Sequence, residues 1–500
     1  MIFIQEIGLN FDPKISIEFA YFFQIYVTFI ASLITGRIVG YLSDFNKSSL
    51  GKRRRFCVYG LIPYCIGAVV MIIHNFCFDH QINNDNIGYA FGMFFVVLLG
   101  ETFLMIGKTM ISVPFKAFLM ENVETEHQNG INIFKVFMSG LGMTIAHFIL
   151  SIVTGSLVTN NDSSLELTSS DINNETVELF NTLGYTCGGL SIVSTILVGI
   201  SVGVFFFASK EQAFDGLKIK RTELKKSCCK MNGIRKYLKN ESKLPILLIM
   251  IVSLFVYTIW YLISGFSELC MNNIFTQKMD IDIRIHFVTT ISFFQGLSII
   301  LYAGICYLLR KYLKILLGVS ILLSNIVIIP MIFASKLIEE KSEDEHKMIT
   351  EHLSGIWISE FIPLALSSIF FVIIESYPYT LLHKLSNSKF YGITVGLLNI
   401  FTCGGYMIYS VVSYFINIVS LEADFGGISL LLLEFIIMLT CVFALFVTVP
   451  FLFIKEKDYP FNSGFPEEDN DDNDNYETEE VSLLKTSEYQ ELKTENMNEN

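Results

Sequence analysis

The sequence is poor in charge and in tryptophan. Only 17% of its 500 residues are charged and two are Trp, whereas 52% are hydrophobic and the mean hydropathy is +0.52. Soluble globular proteins carry about a quarter charged residues. The shortage of charge therefore predicts an integral membrane protein and argues against a soluble enzyme or a nucleic-acid-binding protein.

Disulfide and metal-ligand patterns are also lacking. The ten cysteines lie mostly within apolar runs without a CxxC spacing, and the eight histidines show no paired ligand spacing. Such a pattern indicates neither a zinc site nor a disulfide framework. The sequence also lacks a recognisable nucleophile or phosphate-binding motif, so it predicts that the protein is not an enzyme and uses no metal or other cofactor.

Long apolar runs are abundant. A helix that crosses the hydrocarbon core needs roughly 20 apolar residues. A helix can span lipid because its backbone N–H and C=O groups form hydrogen bonds with one another. The sequence predicts about eleven such helices, at 17–42, 56–77, 88–112, 132–158, 179–207, 244–267, 284–309, 312–334, 354–378, 390–418 and 428–454.

The charges of the loops predict the orientation of these helices. Every second loop is rich in Lys and Arg, above all residues 210–243 with eleven basic and four acidic side chains. Basic loops stay on the cytosolic side, which places the C-terminal tail there as well. The loop after the fourth run carries the glycosylation sequons of Asn161 and Asn174 and lies outside by the same count.

The predicted organisation is two helical bundles joined by a basic loop. The N-terminal bundle occupies residues 1–209, the cytosolic loop 210–243, the C-terminal bundle 244–455 and a disordered acidic tail 456–500. The first eight residues read like the outer end of a helix. We therefore expect that a first helix is missing from a protein of twelve helices in two halves of six. A genuine eleven-helix protein is the alternative.

A glycine- and arginine-rich motif follows the first run. Residues 36–44 read G-R-I-V-G-Y-L-S-D, and residues 51–56 read G-K-R-R-R-F. A GxxxG spacing lets a neighbouring helix approach closely, and an acidic side chain at a helix end can pair with cations or with another helix N-terminus. The residues of this predicted gating motif are Gly36, Gly40, Asp44, Gly51, Lys52, Arg53, Arg54 and Arg55.

The motif resembles the cytosolic signature of the major facilitator superfamily, in the variant of sucrose transporters and related glycoside-pentoside-hexuronide:cation symporters. Residues 113–121, V-P-F-K-A-F-L-M-E, resemble a second signature of that group, with Lys116 in place of Arg and Glu121 in place of Asp. Looser matches follow at 260–268, 376–379 and 396–399. The resemblance implies an all-α membrane protein with the major facilitator fold of two six-helix bundles.

Ionisable side chains within the apolar runs are a further functional signal. A charge at mid-bilayer costs about 2.5–3.5 kcal/mol on insertion scales, so each one is a functional-site hypothesis. A carboxylate in such a place can exchange protons near neutral pH. The predicted proton-coupling residues are Glu101 within its run, Glu268 near the outer end of a later helix and, as a third, Glu121 nearer the cytosolic surface.

Polar and aromatic residues of the runs predict the solute site. Sugars bind through hydrogen bonds and ring contacts in a mostly apolar pocket. The predicted substrate-binding residues are Lys108, Lys116, Asn132, Lys135, Trp260, Gln295 and Asn399. As alternatives, Lys108 and Lys135 form structural ion pairs within the bundle, or the three lysines bind a negatively charged solute.

The sequence as a whole predicts a secondary active transporter that moves a sugar or glycoside together with a proton by alternating access. One alternative is a transporter of the same fold for an organic anion, a vitamin or a nucleoside. The other is a membrane sensor that transports nothing.

The acidic tail predicts a trafficking role. Residues 458–500 hold 14 acidic side chains and two Lys, which accounts for most of the net charge of −13. Two short segments resemble acidic dileucine and YxxΦ sorting signals, which clathrin adaptors bind. They predict that the protein resides in the plasma membrane or in an endosomal or lysosomal membrane. The residues of these segments are Glu479, Leu483, Leu484, Tyr489 and Leu492.

Overall fold

The computed structural model describes most of the apolar runs. The described residues are 13–44, 46, 51, 53–77, 87–123, 125–161, 169–209, 243–275, 281–321, 365, 368–385, 391–423, 436, 439–440, 442, 444 and 446. Residues 1–456 form one compact unit. Residues 457–500 form a second unit, which lies outside the described residues, as do Lys52, the basic loop from 210 to 242 and the predicted sorting signals.

The regular secondary structure of the described residues is helical. The helices are α1 (Pro13–Asp44), α2 (Arg54–Cys77), α3 (Ile87–Asn122), α4 (Thr125–Asn161), α5 (Ser169–Ala208), α6 (Lys243–Phe275), α7 (Ile281–Leu308), α8 (313–321), α9 (368–385) and α10 (Tyr391–Ala423). Eight of them are long and apolar enough to cross a membrane. The prediction of an all-helical membrane protein is confirmed.

Several helices extend beyond the runs that predicted them, and two of these extensions contain the predicted glycosylation residues. Helix α4 continues to Asn161 and α5 already begins at Ser169. Asn161 is therefore the last residue of a helix and Asn174 lies within one, although both were expected in a loop. Hydropathy detects only the part of a helix that lies in lipid, so polar turns beyond it carry no signal. Glycosylation of these residues stays a prediction.

Two helix pairs join the predicted N-terminal and C-terminal bundles. Helix α1 packs along α10, and α4 packs along α7. Within the bundles, α2 packs on α3 and α6 on α10. Gly36, Gly40 and Asp44 lie on α1, and Asn132 and Lys135 lie on α4, so the two pairings place part of the predicted sites.

The α1–α10 pair is packed backbone to backbone through glycine. A Cβ atom placed at Gly40 would lie 2.5 Å from the carbonyl oxygen of Gly392. A Cβ atom at Gly396 would lie 2.7 Å from the carbonyl oxygen of Gly36. Both helices thus present a GxxxG spacing to each other, and small residues at such a crossing let two backbones meet.

The α4–α7 pair combines glycine packing with hydroxyl groups. A Cβ atom at Gly296 would lie 2.5 Å from the hydroxyl oxygen of Thr144. Farther along, the Ser151 and Thr290 hydroxyl oxygens are 2.8 Å apart. Hydrogen bonds of this kind between membrane helices contribute about 0.6 kcal/mol on average, so close packing is the larger part of this contact.

The most buried apolar cluster lies mainly in α6, α9 and α10. Val256, Leu262, Ile373, Leu382 and Leu398 are all at most 1% exposed. A densely packed interior holds its side chains in defined rotamers. The polar groups that project from these three helices are therefore held firmly in place.

Replacing Gly40 by Val should destabilise the α1–α10 pair. The new side chain meets a backbone carbonyl that cannot move aside, and overpacking of this kind typically costs about 1–3 kcal/mol. We expect a lower midpoint of thermal unfolding in detergent. Gly142→Val is the matched control, because nothing lies within 4 Å of a Cβ atom at Gly142. Equal midpoints for the two variants would contradict the close helix approach.

Candidate functional site

A buried arginine gathers two carboxylates at one end of the bundle. The side chains of Arg53 and Asp44 are fully buried. The Nη2 atom of Arg53 lies 2.5 Å from Asp44 Oδ1 and 2.5 Å from Glu121 Oε1, and its Nε atom donates to Glu121 Oε2 at 3.1 Å. The planar guanidinium thus pairs with two carboxylates at once. We call these three residues the Arg53 cluster.

Asp44 reaches across the α1–α10 pair to the start of α10. Its two carboxylate oxygens accept hydrogen bonds from the backbone N–H groups of Gly392 at 3.0 Å and Ile393 at 2.7 Å. The first N–H groups of a helix have no partner within the helix, and the helix dipole favours a negative charge there. Asp44 is therefore a helix cap supplied by a different helix from the other bundle.

The turn before α2 allows Arg53 to point inward. Gly51 has a φ of 100°, a backbone conformation that glycine adopts without steric cost. Arg53 also donates to the hydroxyl of Ser43 at 2.6 Å. Burial by itself lowers the pKa of Arg53, but the carboxylates of Asp44 and Glu121 raise it above its ordinary value. The guanidinium therefore keeps its charge at any physiological pH.

The next two arginines contact aromatic rings instead. The guanidinium carbon of Arg54 lies 4.8 Å from the ring centroid of Phe206. That of Arg55 lies 5.1 Å from the ring centroid of Tyr59, and its Nε–H group donates to the Tyr59 hydroxyl. The arginines of the motif thus divide into one that pairs with two carboxylates of its own bundle and two that lie against aromatic rings.

A second group of charges lies deeper in the bundle, around Glu375 of α9. The ammonium groups of Lys116 on α3 and Lys135 on α4 both lie 3.2 Å from Glu375 Oε2. The hydroxyl of Tyr257 on α6 donates to Glu375 Oε1. One carboxylate from the C-terminal bundle is thus held between two lysines from the N-terminal bundle.

Tyr379, one helical turn after Glu375, completes this group. Lys116 donates to the Tyr379 hydroxyl at 2.6 Å. The ammonium groups of Lys116 and Lys135 lie 4.2 Å and 5.0 Å from the centre of the Tyr379 ring, a distance at which cations are attracted to aromatic rings. We call the group of Glu375, Lys116, Lys135, Tyr257 and Tyr379 the Glu375 cluster. Its formal charge is positive, because two ammonium groups face one carboxylate.

Aromatic rings extend from Tyr257 toward α10. The centroids of Tyr257 and Tyr261 are 6.2 Å apart, and those of Tyr261 and Tyr406 are 4.6 Å apart. Phe29 of α1 stacks on Tyr406 at 4.4 Å. The Glu375 cluster therefore borders a set of rings contributed by both bundles.

The structure brings some predicted solute-binding residues together and places others apart. Lys116 and Lys135 meet at Glu375, as described. Asn132 is nearby, since it donates to the hydroxyl of Thr380 on α9 at 3.1 Å. Lys108, by contrast, is exposed on α3.

The remaining predicted solute-binding residues lie in helix contacts. Trp260 packs against Phe371 with the ring centroids 5.1 Å apart. Gln295 is buried in α7. The Asn399 side-chain nitrogen would lie 3.0 Å from a Cβ atom at Gly36, so this residue belongs to the α1–α10 pair. These three residues therefore lie within helix packing in this structure.

The three predicted proton-coupling residues are separated. Glu121 belongs to the Arg53 cluster. Glu101 is half-buried on α3. Glu268 lies in α6, but its side chain is outside the described residues. The carboxylate that pairs with the predicted lysines is Glu375, which our sequence reasoning missed. The signal was present, because Glu375 lies within the predicted run 354–378 and a charge inside an apolar run is a functional-site hypothesis.

Comparisons with known proteins agree with this architecture. A family model described as PUCC protein matches residues 24–204. A search of curated proteins finds no match. The chain is similar in structure to a proton:xylose symporter bound to 6-bromo-6-deoxy-D-glucose, with 12% identity, coverage of 87% of each chain and a TM-score of 0.52.

Two further solved structures are similar. A bacterial homologue of the iron transporter ferroportin, in an outward-facing state, has 11% identity over 90% of this chain and 96% of that chain, with a TM-score of 0.53. Another D-xylose–proton symporter structure has 13% identity over 86% and 87%, with a TM-score of 0.52. At such identities the likeness establishes the fold. The protein is a multi-pass membrane protein with the major facilitator fold, as predicted, whereas membership of the sucrose-transporter group stays a prediction.

The Glu375 cluster predicts an order of stability among three variants. Glu375→Gln leaves two ammonium groups without a carboxylate, and removing one partner of a buried ion pair costs about 3–5 kcal/mol. Lys135→Met is expected to be the mildest, because it leaves the Lys116–Glu375 pair and the Lys116–Tyr379 hydrogen bond in place. Lys116→Met loses both contacts and should fall between them. Thermal unfolding midpoints test the order, and a Lys135→Met variant as unstable as Glu375→Gln would contradict it.

Proposed function

We propose that the protein is a secondary active transporter that moves a sugar or glycoside together with a proton. The observation that carries this proposal is the Glu375 cluster, an ion-pair network that joins the two bundles inside the membrane. Transport by alternating access requires contacts between two halves that form in one state and break in another. The fold, shared with proton-coupled xylose symporters, supports the same function.

Glu375 is the proposed site of proton coupling. The ammonium groups of Lys116 and Lys135 oppose protonation of this carboxylate, so Glu375 can take up a proton only after the bundles have moved apart. A proton on Glu375 then removes the attraction that would bring the two lysines back. The affinity for the proton and the stability of the contact between the bundles are therefore linked, and such a linkage acts in both directions. Glu121 pairs with Arg53 in the other cluster and stays a predicted coupling residue. Glu101 and Glu268 stay predicted coupling residues.

The Arg53 cluster is the proposed gate. It closes the end of the α1–α10 pair that the loop charges predict to be cytosolic, through the cap that Asp44 places on α10. Opening this end toward the cytosol requires that the Gly392 and Ile393 amides lose their carboxylate partner. Helix capping by a side chain contributes typically about 1 kcal/mol, which is small enough to be overcome during a transport cycle.

The aromatic rings next to the Glu375 cluster suit a sugar. Small-molecule sites are lined mostly by apolar and aromatic side chains with a few polar groups that fix orientation. Tyr261 and Tyr406 supply ring faces, while Tyr257, Lys135 and Asn132 supply hydrogen-bonding groups. The proposed solute therefore carries several hydroxyl groups on a ring.

Uptake of labelled sugars into proteoliposomes tests this function. For the wild type we expect uptake of at least one mono- or disaccharide, including sucrose, maltose and xylose in the panel, to rise several-fold with an inward proton gradient. Glu375→Gln should remove this dependence on the gradient, because its side chain cannot be ionised. Glu101→Gln on α3 is measured beside it, because Glu101 is also a predicted coupling residue. Loss of the gradient dependence in Glu101→Gln but not in Glu375→Gln would move the coupling site to Glu101. Folded protein that carries no sugar would refute the sugar assignment.

A second candidate solute is an organic anion, and the charge of the site favours it. The Glu375 cluster has two ammonium groups for one carboxylate. Lys108, eight residues before Lys116 on α3, lies outside this cluster and stays a predicted third ligand for such a solute. A negatively charged solute would be attracted to this surplus of positive charge.

Competition between matched solutes separates the two candidates. Glucose and glucuronate have the same ring and differ in one carboxylate, so they isolate the effect of charge. If the solute is an anion, glucuronate should inhibit uptake at least tenfold more strongly than glucose, and Lys135→Met should abolish the difference. Equal inhibition, or stronger inhibition by glucose, would favour the neutral sugar.

A further inference from the structure

We propose that Tyr391 is a positioning residue that couples the Glu375 cluster to the gate at the Arg53 cluster. This inference rests on the proposed function, because it assigns a transmitting role between the proposed coupling site and the proposed gate. Tyr391 is the first residue of α10 and is fully buried. Tyr391 is uncharged, so it acts through a hydrogen bond and not through an ion pair. Its role is to hold α9 and α10 in a fixed position relative to each other.

Tyr379 is the point at which the two clusters are joined. Its hydroxyl accepts the hydrogen bond from Lys116. Its backbone carbonyl accepts a hydrogen bond from the Tyr391 hydroxyl at 2.6 Å. One residue of α9 thus contacts the charge network with its side chain and the start of α10 with its backbone.

The residues that follow Tyr391 form the gate. The N–H groups of Gly392 and Ile393 donate to Asp44, so a displacement of Tyr391 is also a displacement of the capped helix end. A hydrogen bond between buried groups is directional and is strengthened by a low local dielectric. When Tyr379 moves with the Glu375 cluster, this bond moves the first turn of α10 relative to Asp44.

A second connection between the Glu375 cluster and the Arg53 cluster runs through α3. Glu121, which holds Arg53, lies five residues after Lys116 on the same helix. Lys116 pairs with Glu375, while Arg53 pairs with Asp44. The contacts therefore form a closed circuit through both bundles, in which the Tyr391–Tyr379 hydrogen bond joins α9 to α10.

The ring of Tyr391 is held independently of its hydroxyl. It meets the ring of His383 edge to face, with centroids 5.0 Å apart and an angle of 88°. His383 Nδ1 lies 3.1 Å from Gln128 Nε2 of α4. Replacing Tyr391 by Phe therefore removes the hydrogen bond to Tyr379 and leaves the ring in place.

The first test compares binding with turnover. Loss of a neutral hydrogen bond to a carbonyl changes an equilibrium constant by about threefold to tenfold. We expect Tyr391→Phe to lower the maximal rate of proton-driven uptake by about that factor, with the dissociation constant of the solute unchanged. Tyr302→Phe on α7 is the matched control, because it removes a tyrosine hydroxyl from a partly buried position outside the circuit.

The second test reports on the gate directly and needs no solute. A cysteine in place of Ile393 keeps the backbone N–H that donates to Asp44, and the Ile393 side chain is only 9% exposed. At a fixed pH of about 7, its rate of labelling by a maleimide should differ between the otherwise unchanged protein and Glu375→Gln, because loss of the carboxylate changes the Glu375 cluster. With Tyr391→Phe, that difference should be lost or reduced to less than half.

A double-mutant cycle separates coupling from general destabilisation. If Tyr391 acts through the Asp44 cap, adding Tyr391→Phe to Asp44→Asn should cause no further loss of uptake rate. Additive losses, a raised dissociation constant, or an unchanged labelling response in Tyr391→Phe would overturn the inference. If the wild type carries no tested solute but its Ile393→Cys labelling still responds to Glu375→Gln, the proposed function fails while the Tyr391 link is decided by the labelling alone.

Discussion

The ion pairs of Glu375 with Lys116 and Lys135 are the contact on which the arrangement of this protein depends. In a bundle surrounded by lipid, apolar packing does not distinguish strongly between helix neighbours, because lipid chains are as apolar as leucine. A carboxylate held between two ammonium groups does distinguish them, because each charge is costly when left unpaired. This contact fixes how α3 and α4 of one bundle meet α9 of the other.

The glycine contacts and the Arg53 cluster act together at one end of the molecule. Close approach of α1 and α10 through Gly40 and Gly392 is what brings the Asp44 carboxylate within hydrogen-bond distance of the first α10 amides. A larger side chain at the crossing would separate the two helices and leave those amides without the cap. Steric and electrostatic contributions therefore meet at the same end of the α1–α10 pair.

Much of the fold could be predicted, and less of the candidate site. Hydropathy located the helices because lipid exposure demands apolar side chains along a whole span. The residues of the gating motif were also apparent, since their spacing resembles a known signature. Glu375 was overlooked although it is a charge inside a predicted apolar run. Its pairing with Lys116 and Lys135 could not be predicted, because the paired residues are 259 and 240 positions apart. A pattern of neighbouring residues in the sequence carries no information about contacts between residues so far apart.

The amino-acid sequence by itself determined that this is a helical membrane protein, where its helices run and which loops are basic, because these properties follow from the composition of each segment. The tertiary structure decided which charges meet. It separated Glu121 from Lys116, although they are neighbours on α3, and gave each a partner from elsewhere in the chain. The reason is physical: a helix directs side chains five residues apart toward different neighbours, and only the packing of the helices determines what those neighbours are.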